Sequence, residues 1–380
     1  MKLPVGYSLR SMLNRPSRSL MTSGGVAIAI FLSVTMLALG KGLSRTASST
    51  AEPLNLIVMS YGAVSQEFSA VEPAYIRAMA SLESIGGGVE LSPELYINTM
   101  AQAGGCPASA VLTRGLRSGN AGLHPKVSVA EGRLPERGNE VALGPLVATR
   151  LGMGSEELAI GSTLAFEGQD WQVVGILSAP GTAYESEIWA PLEDLMAAAR
   201  RDDFSIVITR AADLATLEDV RFDLDTRTDI RTTVVSETEY FAKESERLKP
   251  VLAVCGIMTL LLVSGGMMAG MNTMFNSVMG RINELAVLLL LGYRRFEVVG
   301  GIMLEGLLLC LLGGVLGSAA GLLLSGVPMK FSMSAFRFVV DQQVLLQGIG
   351  LAAVIGVVGS IVPSLRLRTL SIAAGLRSAK

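Results

Sequence analysis

The residues that could do chemistry in this sequence are few and isolated. Its single histidine, His124, stands in a Gly-Leu-His-Pro segment without a nearby cysteine, whereas zinc sites combine several such ligands. The sequence contains neither the Gly-x-x-x-x-Gly-Lys-Ser/Thr pattern that holds nucleotide phosphates nor the Gly-x-Ser-x-Gly pattern of a serine nucleophile. We therefore predict no catalytic residue, no metal site and no cofactor bound by this chain, and we expect His124 to lie at the surface.

Glu305 is an acidic residue within a strongly apolar stretch. It follows Glu297 by eight residues, which corresponds to roughly 12 Å along a helix. A carboxylate at that depth in a membrane-spanning helix is costly unless a neighbouring group stabilises it. We expect a backbone or polar group of the helix bundle to be its partner, and we treat Glu305 as a candidate functional residue.

Four long uncharged stretches must position this carboxylate. Half of the residues are hydrophobic and 17% are charged, against about a quarter charged in typical soluble domains. Residues 19–40, 250–280, 306–329 and 342–365 contain no Asp, Glu, Lys, Arg or His, and each stretch exceeds the roughly 20 residues that cross a bilayer as a helix. The predicted fold is an integral membrane α-helical protein with transmembrane helices at 19–41, about 250–280, 298–328 and 342–365.

The first span could instead be a cleaved signal peptide, because basic residues precede it. However, its apolar core is longer than the roughly 7–15 residues of a signal sequence, and Leu-Ala-Leu-Gly-Lys is a poor cleavage site. A retained anchor is favoured. Residues 1–18 are predicted to form a cytoplasmic amphipathic segment on the membrane surface, with a solvated tail as the alternative.

The distribution of charge predicts the orientation. Residues 41–249 contain 18 Lys or Arg and 29 Asp or Glu, a net charge of −11, whereas eleven Lys or Arg lie in the two tails and the loop 281–297. Basic residues near span ends are retained in the cytoplasm. We predict a multi-pass protein of the inner (cytoplasmic) membrane with both termini cytoplasmic and residues 42–249 periplasmic or extracellular.

The external segment 42–249 is predicted to be an α+β domain of two lobes, inserted between helices 1 and 2. Strand-like runs such as 171–177 and 204–209 alternate with helical pieces, and the β-rich lobe covers about 105–200. Residues 237–249 are good helix formers that lead directly into the second span, which predicts a stalk helix beside an extended first helix. Cys106 is the only cysteine of this segment, so no disulfide can form within it.

Small residues recur at intervals of four in two spans. The glycines concerned are Gly266 and Gly270 in one span, and Gly313, Gly317 and Gly321 in another. Such spacing lets helix backbones approach closely. It predicts a helix contact, either within one bundle or between two copies.

The order and spacing of residues around the second and third spans resemble a known family. The run Asn272-Thr-Met-Phe-Asn-Ser-Val-Met-Gly-Arg-Ile-Asn-Glu-Leu-Ala-Val-Leu-Leu-Leu-Leu-Gly292, with Arg294-Arg295 and Leu304-Glu305-Gly306, resembles the FtsX-like permease domain of the MacB, LolC/LolE and FtsX group of ABC transporters. Glu131-Gly-Arg-Leu-Pro and Asn139-Glu-Val-Ala-Leu-Gly resemble its MacB-like periplasmic core domain. The resemblance implies an FtsX-like permease domain at 250–380 and a MacB-like core at 42–249.

In that family the loop 281–297 would be a coupling helix that docks on a separate ATPase subunit. Residues assigned to this coupling by the resemblance are Glu284, Leu285, Val287, Leu288, Gly292, Arg294 and Arg295. Leu289 departs from the family pattern, in which a basic residue is usual, so the docking surface is expected to be unusually apolar. The alternative is that these apolar residues simply continue a membrane helix.

The resemblance also implies partners. The first is an ABC ATPase dimer that carries ATP and Mg, and the second is another permease copy in a homodimer or related heterodimer. A periplasmic adaptor with an outer-membrane channel and membrane lipids are also expected. No nucleic acid is expected. The predicted function is that of a non-catalytic permease subunit, which couples ATP hydrolysis to movement of its external domain. Its expected task is export or extraction of a hydrophobic, peptide or lipid-like substrate.

Two other functions remain open from the sequence. One is an FtsX-like signalling scaffold that regulates an extracellular cell-wall hydrolase, although about 200 external residues are more than such a scaffold needs. The other is a membrane-anchored enzyme acting outside the cell. The absence of recognisable nucleophile and metal motifs argues against an enzyme.

Overall fold

The chain forms two compact units in the computed structural model, which describes residues 16–86, 89–154, 156–227, 229, 231–331 and 334–369. Within this range, the membrane unit is built from residues up to 41, residues 250–326 and residues from 338 onward. The external unit is built from residues 42–249 and 327–337. Residues 1–15 of the predicted amphipathic segment lie outside the described residues.

Helices and strands are numbered along the chain. The helices are α1 (Pro16–Thr50), α2 (Pro73–Ala80), α3 (Glu83–Gly86), α4 (Val147–Leu151), α5 (Leu192–Ala199), α6 (Leu214–Thr226), α7 (Glu237–Arg247), α8 (Lys249–Met279), α9 (Ile282–Leu290), α10 (Arg295–Leu322) and α11 (Gln342–Thr369). The strands are β1 (Asn55–Ser60), β2 (Glu90–Ala103), β3 (Ser109–Leu116), β4 (Ser128–Gly132), β5 (Glu140–Leu143), β6 (Thr163–Phe166), β7 (Gln169–Ser178), β8 (Glu187–Pro191), β9 (Ile206–Arg210), β10 (Thr232–Ser236), β11 (Pro328–Phe331) and β12 (Ser334–Arg337).

Among the residues that the structure describes, four helices are long and apolar enough to cross a membrane, namely α1, α8, α10 and α11. Helix α1 continues past the predicted boundary at Lys41 to Thr50. In the predicted third span, helix α10 ends at Leu322, before the expected boundary at 328. Gly326, whose φ is +80°, lies between this helix and Pro328. The helix cannot continue through such a left-handed residue, and glycine adopts it without a steric penalty.

The chain after Gly326 forms a hairpin that the sequence did not predict. Strands β11 and β12 pair antiparallel and belong to the external unit, where they contact α4. Arg337 of this hairpin lies 3.8 Å from the carboxylate of Glu185. The loop between the third and fourth spans therefore contributes to the external unit.

A ten-stranded sheet forms the centre of the external unit. Its order is β10-β1-β9-β2-β3-β8-β5-β7-β4, and β6 pairs with both β2 and β7. Most neighbouring strands are antiparallel, whereas β3 pairs with β8, and β5 with β7, in parallel. Buried and exposed side chains alternate along β7, as expected for a strand with one face toward the core. Trp171 and Val173 are buried, whereas Gln172 is exposed.

The two largest of several hydrophobic clusters cover different parts of this sheet. One surrounds Trp171, whose ring stacks on Phe166 at a centroid distance of 4.7 Å. The other joins β1 to helix α6 through residues such as Leu56 and Val220. Burial of these side chains is the main favourable contribution to the folding of the unit.

The predicted stalk at 237–249 is a short helix followed by a break. Ser236 begins α7 by accepting a hydrogen bond from the backbone amide of Glu239. The helix ends at Arg247, and α8 begins at Lys249. Pro250 accounts for the break, since it has no N–H to continue the ladder but is tolerated in the first turn of the next helix.

Candidate functional site

The coupling segment predicted at 281–297 contains a short helix with two different faces. Leu285 is 3% exposed and packs in a cluster with Met274 and Ile302. Val287 and Leu291 are 48% and 67% exposed. The apolar residues of this segment are therefore divided between the interior and the surface.

The residues that the resemblance assigns to coupling differ in exposure. Leu285 is one of them, and its side chain is buried. Leu288 is only partly buried against the same cluster. Glu284, Arg294 and Arg295 are exposed, so they flank the exposed apolar residues with charge.

An ion pair fixes the start of α9 to α10. Nη1 of Arg281 lies 3.0 Å from both carboxylate oxygens of Glu305, and the two side chains are 5% and 9% exposed. Nε of Arg281 also lies 3.4 Å from Glu284. The partner of Glu305 is thus a charged side chain, whereas a backbone or polar group was expected.

The pairing of Arg281 with Glu305 was not predicted from the sequence. Arg281 was counted only among the basic residues that predict orientation. It lies 24 positions before Glu305, and no helical periodicity relates residues at that distance. The available signal was chemical, since a carboxylate deep in a span requires a partner and Arg281 ends the preceding uncharged stretch.

Gly292 ends helix α9 in a left-handed conformation. Its φ is +94°, and the amide of Tyr293 donates to the carbonyl of Leu288 while that of Gly292 donates to Leu289. This is the hydrogen-bond pattern of a glycine-terminated helix. Glu297 then accepts a bond of 2.9 Å from the backbone amide of Arg294 at the start of α10. The sharp connection between α9 and α10 is therefore locally specified.

The glycines of α10 pack closely against α1. A Cβ atom on Gly313 would lie 2.5 Å from the carbonyl oxygen of Ser23, and one on Gly321 would lie 2.6 Å from Val34. Gly317 is similarly close to the carbonyl of Ala27. The spacing therefore serves a contact within one chain.

The two glycines of α8 make looser contacts. A Cβ atom on Gly266 would lie 3.0 Å from that of Ala29, whereas one on Gly270 would lie 3.8 Å from Ile355. Gly270 could therefore hold a small side chain without displacing its neighbour.

The prediction that His124 lies at the surface was wrong. His124 is 1% exposed and its Nε2 lies 2.9 Å from Glu94. Arg114 lies on the other side of this carboxylate, with Nη1 at 2.6 Å, and its Nε lies 2.8 Å from Glu187. Gly and Pro neighbours suggested an exposed loop, but the histidine ring faces charged groups on strands that are distant in sequence.

Electrostatics keeps the carboxyl of Glu94 ionised. Burial alone would raise the pKa of this carboxyl, but His124 and Arg114 beside it hold the pKa at about 2. Burial alone would lower the pKa of the Arg114 guanidinium, but the carboxylates of Glu187 and Glu94 raise it well above its ordinary value. Each charge is thus stabilised by an opposite one, as buried ions require.

The described residues contain no group of three or more His, Cys, Asp or Glu side chains able to hold a metal ion. Cys106 is partly buried and unpaired, and Cys255 and Cys310 are buried in helices. The arrangement can support mechanical attachment and electrostatic binding.

Two family matches together cover most of the chain. Residues 19–227 match the MacB-like periplasmic core domain, and residues 256–372 match the FtsX-like permease C-terminal domain.

The chain is similar to the macrolide export ATP-binding/permease protein MacB of Nitrobacter winogradskyi, with 24% identity over 93% of this chain and 57% of that protein. The macrolide export protein MacB 1/2 of Paracoccus denitrificans is 23% identical over 96% of this chain and 57% of its own length. The chain spans a little over half the length of these curated relatives. Among solved structures, the periplasmic region of MacB from Actinobacillus actinomycetemcomitans has a TM-score of 0.39 and 9% identity, covering 54% of this chain and 94% of that one.

Proposed function

This chain belongs to the MacB/FtsX-like family of ABC transporter permeases, and we propose that it transmits ATP-driven movement from a separate ATPase subunit to its periplasmic domain. It is an inner-membrane protein with a periplasmic domain. ATP and Mg are bound by the ATPase, and this chain is non-catalytic. The transmitted movement exports or extracts a hydrophobic, peptide or lipid-like substrate.

The observation that carries the proposal is the attachment of α9. Its exposed face presents Val287 and Leu291 to a partner, while its other face packs on α8 and α10 through Leu285. The ion pair between Arg281 and Glu305 joins its first turn to the interior of α10. A force applied to the exposed face therefore acts on membrane helices instead of bending a loose loop.

The exposed face also has the composition of a protein-binding surface. Exposed apolar side chains that lie together usually mark an interaction site. Here they are flanked by Arg294 and Arg295 on one side and Glu284 on the other. Apolar contact supplies affinity, and the charges at the rim supply orientation.

The wider assembly follows from the same proposal. ABC ATPases act as dimers, so two permease copies are required, either identical or related. The N- and C-termini face the cytoplasm, where the ATPase binds, and the two lobes of the external domain lie between the first and second spans. Export is the favoured direction because relatives are named macrolide export proteins. A periplasmic adaptor and an outer-membrane channel complete the route.

The test is co-purification with a co-expressed ATPase from the same organism. Val287→Glu with Leu291→Glu places two carboxylates on the proposed docking face, and we expect it to abolish the association while membrane insertion is retained. The matched control is Phe222→Glu, which changes a side chain of α6 that is 68% exposed in the external unit. Unchanged association of the α9 variant would refute the docking surface.

A further inference from the structure

A continuous line of hydrogen bonds crosses the interior of the external unit and ends at the first residue of α7. The carboxylate of Glu94 lies 2.9 Å from Nε2 of His124, whose Nδ1 lies 3.1 Å from the hydroxyl of Tyr184. That hydroxyl lies 3.3 Å from Oε1 of Glu237. The four side chains are at most 2% exposed, so bulk water does not satisfy them.

The number of protons in this line can be counted. Three hydrogen bonds require three protons. Glu94 is held ionised by Arg114 at 2.6 Å and can only accept. Tyr184 supplies one proton and a neutral imidazole supplies one. The third proton must therefore reside on the second nitrogen of His124 or on the carboxyl group of Glu237.

We propose that His124 and Glu237 share one buried proton through the hydroxyl of Tyr184, and that this proton fastens the start of α7 to the sheet. With the proton on His124, the imidazolium donates to Glu94 and Tyr184, and Tyr184 donates to the Glu237 carboxylate. With the proton on Glu237, the carboxyl donates to Tyr184, which donates to Nδ1 of a neutral imidazole. The two arrangements contain the same number of protons.

The surrounding charges oppose loss of this proton. Besides Glu94 and Arg114, the cluster contains Glu187, which accepts a hydrogen bond of 3.0 Å from Tyr96. One guanidinium and three carboxylates with the shared proton give a net charge of −1, and removal of the proton leaves −2 in a region of low dielectric constant. Burial also raises the pKa of Glu237, although His124 and Arg114 act against that rise.

Glu237 connects the two ends of the external unit. Its Oε2 accepts a bond of 2.9 Å from the side-chain amide of Asn55, and the backbone amide of Glu52 also stabilises the carboxylate. Both residues follow α1 closely. Thr50, at the end of α1, accepts a bond of 2.8 Å from the amide of Ala183, next to Tyr184. His124 and Glu237 are thus positioning residues for the segments that lead to the first and second spans.

The shared proton does not depend on the proposed function. The test accordingly uses the full-length protein in nanodiscs without an ATPase or nucleotide. Because the chain has a single histidine, labelling with ¹⁵N-histidine and a tag free of histidine reports on His124 alone. The infrared difference between the native protein and Glu237→Gln reports whether Glu237 is protonated.

At pH 8 we expect either a ring with both nitrogens protonated, or a neutral ring together with a protonated Glu237. A neutral ring together with an ionised Glu237 would overturn the proposal. Tyr184→Phe breaks the line, and we expect the ¹⁵N signals of the ring at pH 8 to differ from those of the native protein, because Nδ1 loses its hydrogen-bond partner. The matched control, Tyr96→Phe, removes a buried hydroxyl outside the line and should leave the ring signals at their native positions. Native ring signals in Tyr184→Phe, or equal changes in both variants, would also count against the shared proton.

Discussion

Arg281 and Glu305 stabilise each other in an environment where either charge alone would be costly. Removing one member of a buried ion pair typically costs about 3–5 kcal/mol, whereas replacing both by apolar residues is often tolerated. We predict that Arg281→Met and Glu305→Met each lower the unfolding temperature in nanodiscs more than the double variant does. Thermal unfolding followed by circular dichroism measures this. A double variant as unstable as the sum of the singles would contradict the pairing.

The carboxyl of Glu94 predicts how the external unit responds to acid. Its folded-state pKa of about 2 is below the ordinary 4.5, so its contribution is complete above pH 4.5 and is lost as the pH falls toward 2. The difference corresponds to about 3 kcal/mol. The contribution of Glu237 to stability depends on pH in the opposite direction, because its pKa is raised. That contribution is lost as the pH rises and no longer changes below pH 4.5.

We therefore expect Glu94→Gln to flatten the loss of stability between pH 4.5 and 2.5, as measured by thermal unfolding of the full-length protein. Glu90→Gln, an exposed change on the same strand, is the control and should keep the native slope. Equal slopes for the native protein and Glu94→Gln would show that other carboxylates account for acid unfolding.

Single residues were the hardest feature to predict from the sequence. The depth of Glu305 correctly indicated a need for a partner, but the identity of Arg281 depends on how α9 folds back on α10. The exposure of His124 was predicted wrongly for a similar reason. Its burial depends on Glu94 and Tyr184, which the sheet brings together from positions 30 and 60 residues away.

At the scale of elements, α1 and α10 pack closely because the residues of α10 at the contact are glycines. Gly317→Leu would place a side chain against the backbone of α1 near Ala27, so the two helices must separate. We predict at least about 2 kcal/mol of destabilisation and a lower yield of folded protein, measured by size-exclusion chromatography and thermal unfolding. The control is Gly300→Leu on the same helix, where a Cβ meets no atom within 4 Å. Similar stability of both variants would contradict the proposed packing.

Periodicity predicted the elements that have a strong local signal. The apolar runs yielded all four long helices, and alternation around Trp171 yielded β7. The end of the third span was less accurate, because α10 ends at Leu322 and the left-handed conformation of Gly326 beyond it is a property of the backbone. The hairpin β11–β12 was missed, since its four-residue strands are too short to show a pattern.

For the whole molecule, the separation of charge was the most informative property of the sequence. The net charge of −11 on residues 41–249, between basic tails and uncharged spans, predicted a membrane protein with a large external domain. The family followed from short motifs that the matches over 19–227 and 256–372 confirm. Substrate and partners have no comparable signature, because they depend on surfaces formed by several chains.

The central claim is that ATP turnover on one side of the membrane changes the domain on the other. Hydrogen exchange across residues 42–249, measured in nanodiscs with the co-purified ATPase in the ATP-bound and nucleotide-free states, tests it most directly. The account predicts a nucleotide-dependent change in exchange near α7 and the segment after α1, which Val287→Glu with Leu291→Glu eliminates. Identical exchange in both nucleotide states of an intact, active complex would contradict it.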